Sequence, residues 1–378
     1  MLKTVHVHND LKFVGSTDSF DSTYFDNTVV IIDAPETYSG PYRDQAIFLS
    51  SSRQDQYEVV KICSEAALVV LYDLDVVKSQ IAVRLSQKVA VAWRFFGYEL
   101  YNRRIRSYLS ETSLTYYRGN KVRMGMLKRL RGYFPQLKSM IANGSSINRL
   151  FLDAVRRTDL FLGLSSYEYE HLAMHWSLPR FLQLPMMWAS NPGRSVLSKS
   201  NVVLVGNNRS VYNNHLDIID LICRSHCDTQ LSFLFPFSYG PENRYTSEVR
   251  HRAEDALGKV RFLEDFLPRM TYLELITTAR AAVFNSYRQM AMGNIFVLLE
   301  YGVKIYLNTR NIIYHWLIDL GLKVYTIEDF ASDMKSAAAL ELNPEEKVAN
   351  AKTLEELKCR FGKEQFANAM LALVEGDV

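Results

Sequence analysis

Residues 202–208, Val-Val-Leu-Val-Gly-Asn-Asn, decide the fold class of this chain. A β-branched apolar run is typical of a strand buried on both faces of a parallel sheet, and a helix is predicted to begin soon afterwards, at residues 213–215. In open α/β sheets, ligands bind beyond the carboxyl ends of the strands, where the N–H groups of the next helix favour an anion. The candidate phosphate ligands at this turn are Gly206, Asn207, Asn208, Asn214 and His215. An Asn-rich turn with a helix cap remains the alternative, since no GxGxxG motif is present.

The same strand–turn–helix rhythm continues through the second half of the chain. Strands are predicted at 201–205, 231–236, 260–263, 281–285 and 303–308, and helices at 214–225, 245–257, 269–279 and 293–301. Five strands alternating with helices predict a doubly wound domain. Asn343 can cap a further helix that has Pro344 at its first position, so the tail is predicted to be helical.

The first half shows a similar α/β pattern. Strands are predicted at 4–8, 28–33, 67–72, 88–93 and 160–164, and helices at 75–86 and 167–176, with residues 147–157 as a further segment before the last of these strands. Residues 183–200 have two prolines and little helical periodicity, which is typical of an interdomain connection. We therefore expect two Rossmann-like domains, 1–194 and 195–378, with a cleft between them. GT-B glycosyltransferases and some epimerases share this arrangement, so the fold alone does not choose the function.

Composition limits the class of protein. The chain has 378 residues, of which 48% are hydrophobic and 22% charged, so disorder is excluded and two domains are expected. Its four cysteines have no framework spacing, which fits a reducing compartment. No apolar run approaches a membrane span, and the start has no apolar signal core, so we expect a cytoplasmic protein.

Further loops at predicted strand ends carry polar side chains. The loop after 281–285 holds Arg288 and Gln289 and leads to Gly293 and Asn294, where a guanidinium suits a diphosphate; a solvated arginine is the alternative. Loops containing Tyr239 and Glu264 follow two neighbouring strands and could frame a nucleotide. In the first half, Asp10 and Glu99 follow strands and are candidate bases or sugar-hydroxyl acceptors. The alternative is a cap or a surface charge, which is the more common role of an isolated carboxylate.

Residues 103–138 are strongly basic. They contain ten Lys or Arg and one acid, Glu111, so this stretch carries +9 and the rest of the chain −6, which together give the net charge of +3. Apolar residues recur every four positions from Val122 to Phe134, which predicts a helix that lies on an anionic membrane surface. Its candidate membrane contacts are Arg123, Lys128, Arg129 and Arg131. A basic helix packed on the protein's own core, or RNA binding, remains an alternative.

Several other kinds of site are not supported. The Cys and His residues lack zinc spacing, no GxSxG or Cys/His nucleophile pattern is present, and we find no DxD-like carboxylate pair in a convincing loop. We therefore expect no metal ion.

Four segments, in the same order along the chain, resemble the TDP-N-acetylfucosamine:lipid II N-acetylfucosaminyltransferases, glycosyltransferase family 56. They are Asp10-Leu-Lys-Phe13; Trp93-Arg-Phe-Phe-Gly-Tyr-Glu-Leu-Tyr101; Val205-Gly-Asn-Asn with Asn213-Asn-His215; and Arg288-Gln-x3-Gly-Asn-Ile295 leading to Leu307-Asn308. The chain departs from the family in having Phe96 in place of a second Trp and Arg209 in the turn, and it lacks the E-x7-E signature of other retaining GT-B enzymes.

The resemblance implies a GT-B fold, with two Rossmann-like domains facing a central cleft and C-terminal helices. It implies transfer of a 4-acetamido-4,6-dideoxygalactose-like sugar from a dTDP-sugar to a polyprenyl-diphosphate-linked saccharide, as in enterobacterial common antigen or O-antigen synthesis. Retention of configuration and a peripheral position on the inner face of the bacterial inner membrane are also implied. No cofactor and no nucleic-acid partner are expected. A nucleotide-sugar epimerase or a non-catalytic membrane or RNA-binding adaptor is the alternative.

We divide the candidate site residues between the two halves. The donor-binding set is Gly206, Asn207, Asn208, Asn214, His215, Tyr239, Glu264, Arg288, Gln289, Gly293 and Asn294. The acceptor-binding set is Lys12, Arg94, Gly97 and Tyr98, and the candidate catalytic residues are Asp10 and Glu99, of which Glu99 is the weaker base.

Overall fold

Two parallel β-sheets organise the structure, a computed structural model that describes residues 1–122, 146–186, 199–225 and 230–376. The described chain divides into two units by its internal contacts. Unit 1 comprises residues 1–103, 146–186 and 359–376, and unit 2 comprises residues 104–122, 199–225 and 230–358.

The strands and helices alternate along the chain. The strands are β1 (Leu2–His8), β2 (Phe25–Ile32), β3 (Ile47–Leu49), β4 (Leu68–Tyr72), β5 (Ala90–Arg94), β6 (Leu160–Gly163), β7 (Arg180–Gln183), β8 (Val202–Val205), β9 (Ser232–Pro236), β10 (Val260–Leu263), β11 (Ala281–Phe284), β12 (Lys304–Leu307) and β13 (Tyr325–Thr326). The α-helices are α1 (Arg53–Ser64), α2 (Val76–Ala82), α3 (Tyr98–Tyr101), α4 (Glu111–Val122), α5 (Ile147–Arg157), α6 (Ser166–Ala173), α7 (His215–Arg224), α8 (Arg244–Ala256), α9 (Arg269–Thr277), α10 (Met292–Glu300), α11 (Ile312–Asp319), α12 (Ile327–Asp333), α13 (Pro344–Arg360) and α14 (Lys363–Glu375).

The sheet of unit 1 has seven strands in the order β3-β2-β1-β4-β5-β6-β7. Its centre is buried, since β4 is buried along its whole length and β1 from Thr4 onwards. The strand order reverses between β1 and β4, so the loops that follow these two strands diverge. Ligands in such sheets bind at this reversal, which makes the residues after His8 and Tyr72 the first place to search for a site in unit 1.

The sheet of unit 2 has six strands in the order β10-β9-β8-β11-β12-β13. Its core includes Val203 and Val205 of β8, Leu216 and Ile219 of α7, and Val283 of β11. The reversal lies between β8 and β11, which are paired in parallel from Val203 to Val205. The turn at Gly206 and the loop at Asn285 therefore start from neighbouring strand ends. The predicted doubly wound α/β class is confirmed for both units.

Two segments lie in a different unit from the predicted one. The tail was predicted to belong to the second domain, but α14 packs Phe366, Ala367 and Met370 into the core cluster of unit 1, because these residues form one apolar face. In the other direction, α4 contacts α7 and α8 of unit 2, and its Tyr116 packs against the core of that unit. The predicted boundary near residue 195 lies outside the described residues.

No helix in the described part of the chain is long and apolar enough to cross a bilayer.

Candidate active site

Gly206 ends β8 in a conformation that favours glycine. Its φ is +70°, and a Cβ at this position would lie 2.6 Å from Nε2 of His215 and 3.1 Å from Oδ1 of Asn213. A side chain would therefore be strained by the backbone angle and would collide with the imidazole. The sequence prediction of a tight turn after the strand corresponds to this geometry.

Asparagine side chains fix the loops that follow three neighbouring strands. Asn214, which is left-handed at φ 47°, donates from Nδ2 to the carbonyl of Asn285 (3.1 Å), and Nδ2 of Asn285 donates back to the carbonyl of Asn214 (3.3 Å). Nδ2 of Asn308 donates to Oδ1 of Asn285 (2.7 Å). The carboxyl ends of β8, β11 and β12 are therefore tied together before any ligand binds. Asn285 and Asn308 were not assigned to the site from sequence, although both are polar residues that directly follow buried strands.

Asn208 has a structural role within the turn. Its Oδ1 accepts from the backbone N–H of Ser210 (2.9 Å) and from Nδ2 of Asn213 (3.0 Å). Asn214, the residue before α7, makes no side-chain cap bond to that helix. For Asn208, the alternative interpretation as a turn residue accounts for its contacts.

Two polar atoms beside Gly206 have no partner among the described residues. They are Oδ1 of Asn207 and Nε2 of His215, and both atoms are buried. His215 lies wholly inside unit 2, where its backbone N–H donates to the hydroxyl of Tyr245 (2.7 Å). Burial lowers the pKa of the imidazole to about 3, so His215 is neutral at physiological pH. Buried polar atoms in native proteins are nearly always hydrogen-bonded, and these two are therefore the best indication of a missing ligand at the turn.

Arg288 is held in place against an aromatic ring. Its guanidinium carbon lies 4.3 Å from the centre of the Tyr212 ring, and its backbone N–H donates to Oγ of Ser286 (3.2 Å). Gln289 follows directly and is half-buried. The stacking orients the guanidinium, whose fixed positive charge and several N–H donors suit an anion.

The amino end of α10 is open. Ala291 precedes the helix in the left-handed region at φ 61°, and Gly293, in the first turn, is exposed with no atom within 4 Å of where a Cβ would be. The side chain of Asn294 is already engaged, because its Nδ2 donates to the hydroxyl of Tyr272 (2.8 Å). Gly293 and the first N–H groups of α10 thus have space for an anion, whereas Asn294 joins α10 to α9.

Two further donor-binding candidates follow β9 and β10 of unit 2, and one is exposed to solvent whereas the other forms an ion pair. Tyr239 is exposed, and its carbonyl accepts from the backbone N–H of Arg209 (3.0 Å). Glu264 accepts from Nε of Arg250 (2.8 Å), which also binds Glu242. A contact between Glu264 and a ribose would have to compete with this ion pair.

In unit 1, Asp10 and Lys12 lie on the surface at the start of a 3₁₀ helix. Oδ1 of Asp10 accepts from the backbone N–H of Lys12 (3.1 Å), so Asp10 is a helix cap. The ammonium of Lys12 lies 5.4 Å from the Phe13 ring, which stacks on Phe96 at 4.2 Å. Arg94 covers the Phe96 ring at 4.9 Å, and burial lowers its pKa to about 10. Lys12 and Arg94 are thus joined through the two stacked rings.

Glu99 is buried rather than open to a substrate. Its Oε1 accepts from Nε1 of Trp93 (3.2 Å) and from the backbone N–H of Phe96 (3.3 Å), and its Oε2 has no partner among the described residues. Burial raises the pKa of its carboxyl to about 7. Gly97, at φ +98°, allows the tight turn that brings Glu99 back to Trp93. Glu99 therefore clamps its own loop, which explains why Trp and Glu occur at this spacing.

A buried ionic cluster that the sequence analysis missed lies at the strand reversal of unit 1. Nζ of Lys78 lies 2.9 Å from Oδ1 of Asp73 and 3.4 Å from Oδ2 of Asp75, and it donates to Oδ1 of Asn9. Lys78 is completely buried, and burial raises the pKa of Asp73, which also bonds to Tyr98. Asp73 and Asp75 have DxD spacing and directly follow β4, but the sequence pattern did not single them out. The ammonium of Lys78 lies between the two carboxylates.

The remaining predictions lie largely outside the structure. Arg123, Lys128, Arg129 and Arg131 are not among the described residues. Within the part of the chain that is described, no group of His, Cys, Asp and Glu side chains could hold a metal ion.

Comparison with known proteins identifies the chemistry. Residues 181–345 match the family model of the 4-alpha-L-fucosyltransferases, glycosyl transferase group 56, which confirms the resemblance seen in the sequence. The fold is similar to Anabaena HepE in complex with UDP-glucose (TM-score 0.63, 12% identity, 100% of each chain covered). It is also similar to the sucrose-phosphate synthase of Thermosynechococcus elongatus (TM-score 0.62, 11% identity, 100% of this chain and 99% of that chain). At these identities the likeness concerns the fold. The chain is therefore a glycosyltransferase with the GT-B fold, and its residues 181–345 match the model of glycosyltransferase family 56.

Proposed function

We propose that the chain transfers a 4-acetamido-4,6-dideoxygalactose-like sugar from a dTDP-sugar to a polyprenyl-diphosphate-linked saccharide, with retention of configuration. The motif resemblance supports the sugar and the acceptor. Similar structures that were solved with UDP or UDP-glucose support a nucleotide-sugar donor in general. The protein would act in surface-polysaccharide synthesis as a cytoplasmic enzyme on the inner face of the bacterial inner membrane.

The pair of unpartnered buried atoms at the Gly206 turn carries the donor part of this proposal. Oδ1 of Asn207 can accept and the neutral imidazole of His215 can donate or accept at Nε2, depending on its tautomer. A donor that bonds to both atoms would remove the cost of leaving them unpaired. Because Gly206 has no side chain, the ligand can approach the backbone between them.

The leaving group determines the chemistry at the loop after β11 and at the amino end of α10. Transfer breaks the bond between the sugar C1 and the diphosphate oxygen and forms a bond from C1 to an acceptor hydroxyl oxygen, whose proton passes to a base or to the departing diphosphate. In this proposal, Arg288 and the first N–H groups of α10 stabilise the negative charge that develops on the diphosphate. These groups can do so without a metal ion, and metal independence is part of the proposal.

The acceptor side is assigned to exposed residues of unit 1. Lys12 and Tyr98 are both exposed, and the exposed carboxylate of Asp10 lies beside Lys12. We assign Asp10, rather than the buried Glu99, to the acceptor hydroxyl, because a base must come within hydrogen-bond distance of the proton that it removes. Glu99 and Gly97 then act by shaping the loop that presents Tyr98.

Calorimetric titration with dTDP, UDP and GDP tests the donor assignment. We expect dTDP to bind most tightly and Arg288→Ala to weaken its binding by about 1.5–3 kcal/mol, the range for hydrogen bonds to charged groups. Arg261→Ala is a matched control, because Arg261 is an exposed arginine on β10 of the same unit. Equal dTDP affinity in wild type, Arg288→Ala and the control would remove Arg288 from the donor site.

Transfer itself is measured with a dTDP-sugar labelled in the sugar. We expect the label to move to a polyprenyl-diphosphate saccharide that can be extracted into organic solvent. Label that stays in an altered but water-soluble nucleotide sugar would favour the epimerase instead.

A further inference from the structure

Unit 2 has a cavity whose lining residues are not among those assigned to the donor. Its volume is about 730 Å³, and it is bounded by the start of α4, by α7 and by the loops after β11 and β12. This volume is in the range of cavities that hold small organic ligands, and it is much larger than a free phosphate ion requires. The cavity is next to the donor turn, because the backbone N–H of Ser110, on its wall, donates to Oδ1 of Asn214 (2.9 Å).

Three arginines, Arg106, Arg224 and Arg310, line this cavity. All three are exposed, and none forms an ion pair with a carboxylate among the residues that the structure describes. Other arginines of unit 2 do form such pairs, as Arg252 does with Asp220 and Glu248. An opening lined by several uncompensated guanidinium groups favours an anionic ligand.

The carboxylates on the same wall do not cancel this charge. Asp220 is 3.2 Å from Arg252, which lies outside the cavity lining. Asp217 is half-enclosed and accepts from Oγ of Ser110 (2.6 Å), and burial raises its pKa. Glu111 is exposed at the first turn of α4. The three guanidinium groups therefore share the lining with three carboxylates, of which Asp220 is paired with Arg252, Asp217 is hydrogen-bonded to Ser110 and Glu111 is exposed.

Two further features prepare the cavity for a phosphate group. The guanidinium of Arg310 is stacked 4.0 Å from the centre of the Tyr287 ring, which restricts its motion before a ligand arrives. Ser110 caps α4, since its Oγ accepts from the backbone N–H of Ser113 (3.1 Å), so the positive end of the twelve-residue helix opens on the cavity. The leucines at 109, 114 and 221 supply apolar wall for the group that the phosphate is attached to.

We infer that this cavity binds a phosphate or diphosphate ester at a site separate from the donor diphosphate. The expected ligand is a molecule that has a phosphate group and an apolar part, and Arg106, Arg224 and Arg310 would hold the phosphate oxygens. This inference does not depend on which sugar or nucleotide the enzyme uses. Such a ligand could come from a lipid headgroup or from a soluble phosphate ester, and the experiment separates the two.

Binding of inorganic pyrophosphate to the full chain, measured by calorimetry at constant ionic strength, is the first arm. In the Arg288→Ala background, which weakens the donor site, we expect Arg106→Gln and Arg310→Gln each to lower pyrophosphate affinity about tenfold, as expected for one hydrogen bond between charged groups. Arg261→Gln removes an exposed charge from the same unit and should leave the affinity unchanged. Arg106 and Arg310 are both exposed, so their replacement should not disturb the fold. Unchanged midpoints of unfolding will show that the variants fold.

Vesicles of phosphatidylglycerol and phosphatidylcholine in equal parts form the second arm. If Arg106→Gln and Arg310→Gln reduce sedimentation with these vesicles, the site takes a lipid headgroup; if they weaken pyrophosphate binding alone, it takes a soluble phosphate ester. Unchanged binding to both probes in both variants overturns the inference. An effect of Arg288→Ala alone would locate pyrophosphate in the donor site and would also overturn it, while leaving the proposed function intact.

Discussion

Amide side chains at the carboxyl edge of the unit 2 sheet have two different roles. Asn208, Asn214 and Asn285 use their amides to bind other parts of the protein, and they hold three loops in place. Asn207 keeps a buried oxygen without a partner among the described residues. Since all four are asparagines that follow strands, residue type did not separate the structural from the ligand-binding positions; only the hydrogen-bond pattern does.

Gly206→Ala and Gly293→Ala should change stability in opposite directions. Gly206→Ala should destabilise the protein by at least about 1–2 kcal/mol, because the left-handed conformation is unfavourable for alanine and the new Cβ would approach His215. Gly293→Ala should stabilise α10 by up to about 1 kcal/mol, because Gly293 is helical and its Cβ position is open. Urea unfolding measures both variants.

The Gly293 variant also tests the donor site. A Cβ in the first turn of α10 would enter the space proposed for the diphosphate, so dTDP affinity should fall although the protein is more stable. Tighter or equal dTDP binding by a stabilised Gly293→Ala variant would contradict the assignment of this helix end to the donor.

The buried carboxyl of Glu99 should make stability depend on pH. Its pKa is raised from 4.5 to about 7 in the folded protein, so the folded state holds the proton more tightly than the unfolded state. The stabilisation is therefore present below pH 4.5 and is lost as the pH rises through 7. For this shift the loss is about 3 kcal/mol.

Glu99→Gln isolates this contribution. Glutamine can still accept from Trp93 and Phe96 but does not ionise. The free energy of unfolding of the variant, relative to that of wild type, should therefore rise between pH 5 and pH 8. A difference between the two proteins that stays constant over this range would show that Glu99 is already ionised in the fold.

At the level of elements, the association of α14 with unit 1 is the clearest tertiary feature. Phe366 is buried and packs edge-on against Phe20 at 5.1 Å. Phe366→Ala should cost about 3–5 kcal/mol, the usual range for removing a buried phenylalanine. Amide hydrogen exchange should then speed up in β1 and β4 and stay unchanged in β8 and β11.

Val348→Ala provides the control for this variant, because Val348 is an exposed apolar residue on α13 of unit 2. If Phe366→Ala speeded exchange equally in both sheets, the helix would not belong to unit 1 alone.

Sequence periodicity predicted the positions of strands and helices better than the unit against which each of them packs. The strand at 260–263 has the predicted bounds, because its apolar pattern is local. The short strands β3 and β7 were missed, since three or four residues at a sheet edge carry little pattern. The units of α4 and α14 were also mispredicted, because an apolar helix face does not specify which distant core it covers. The cluster around Lys78 could not be predicted for a similar reason. Asp73 and Asp75 are close to Lys78 in sequence, but Asn9 reaches them only because β1 pairs with β4 in the sheet.

For the whole molecule, the distribution of charge matters more than its sum. Residues 103–138 carry +9 in a chain of net +3. Replacing Lys128, Arg129 and Arg131 by Gln should release the protein from anionic vesicles, since each base near the surface contributes about 1 kcal/mol, and wild-type binding should weaken as salt is raised. Binding of dTDP should be retained.

The matched control changes Lys61, Arg156 and Lys352 to Gln, three exposed bases from the described part of the chain. Vesicle binding that falls equally in both triple variants would indicate a general charge effect and not a membrane-facing segment.

The discontinuous unit 1 also has a consequence for synthesis on the ribosome. Unit 2 ends at Lys358, so all of its described elements have been made before α14. The sheet of unit 1, whose first strand begins at Leu2, keeps an uncovered apolar surface around Phe20 and Phe25 until Phe366 and Met370 emerge. The sheet of unit 1 is thus translated before unit 2 but completed after it, and until then it exposes apolar surface of the kind that chaperones bind.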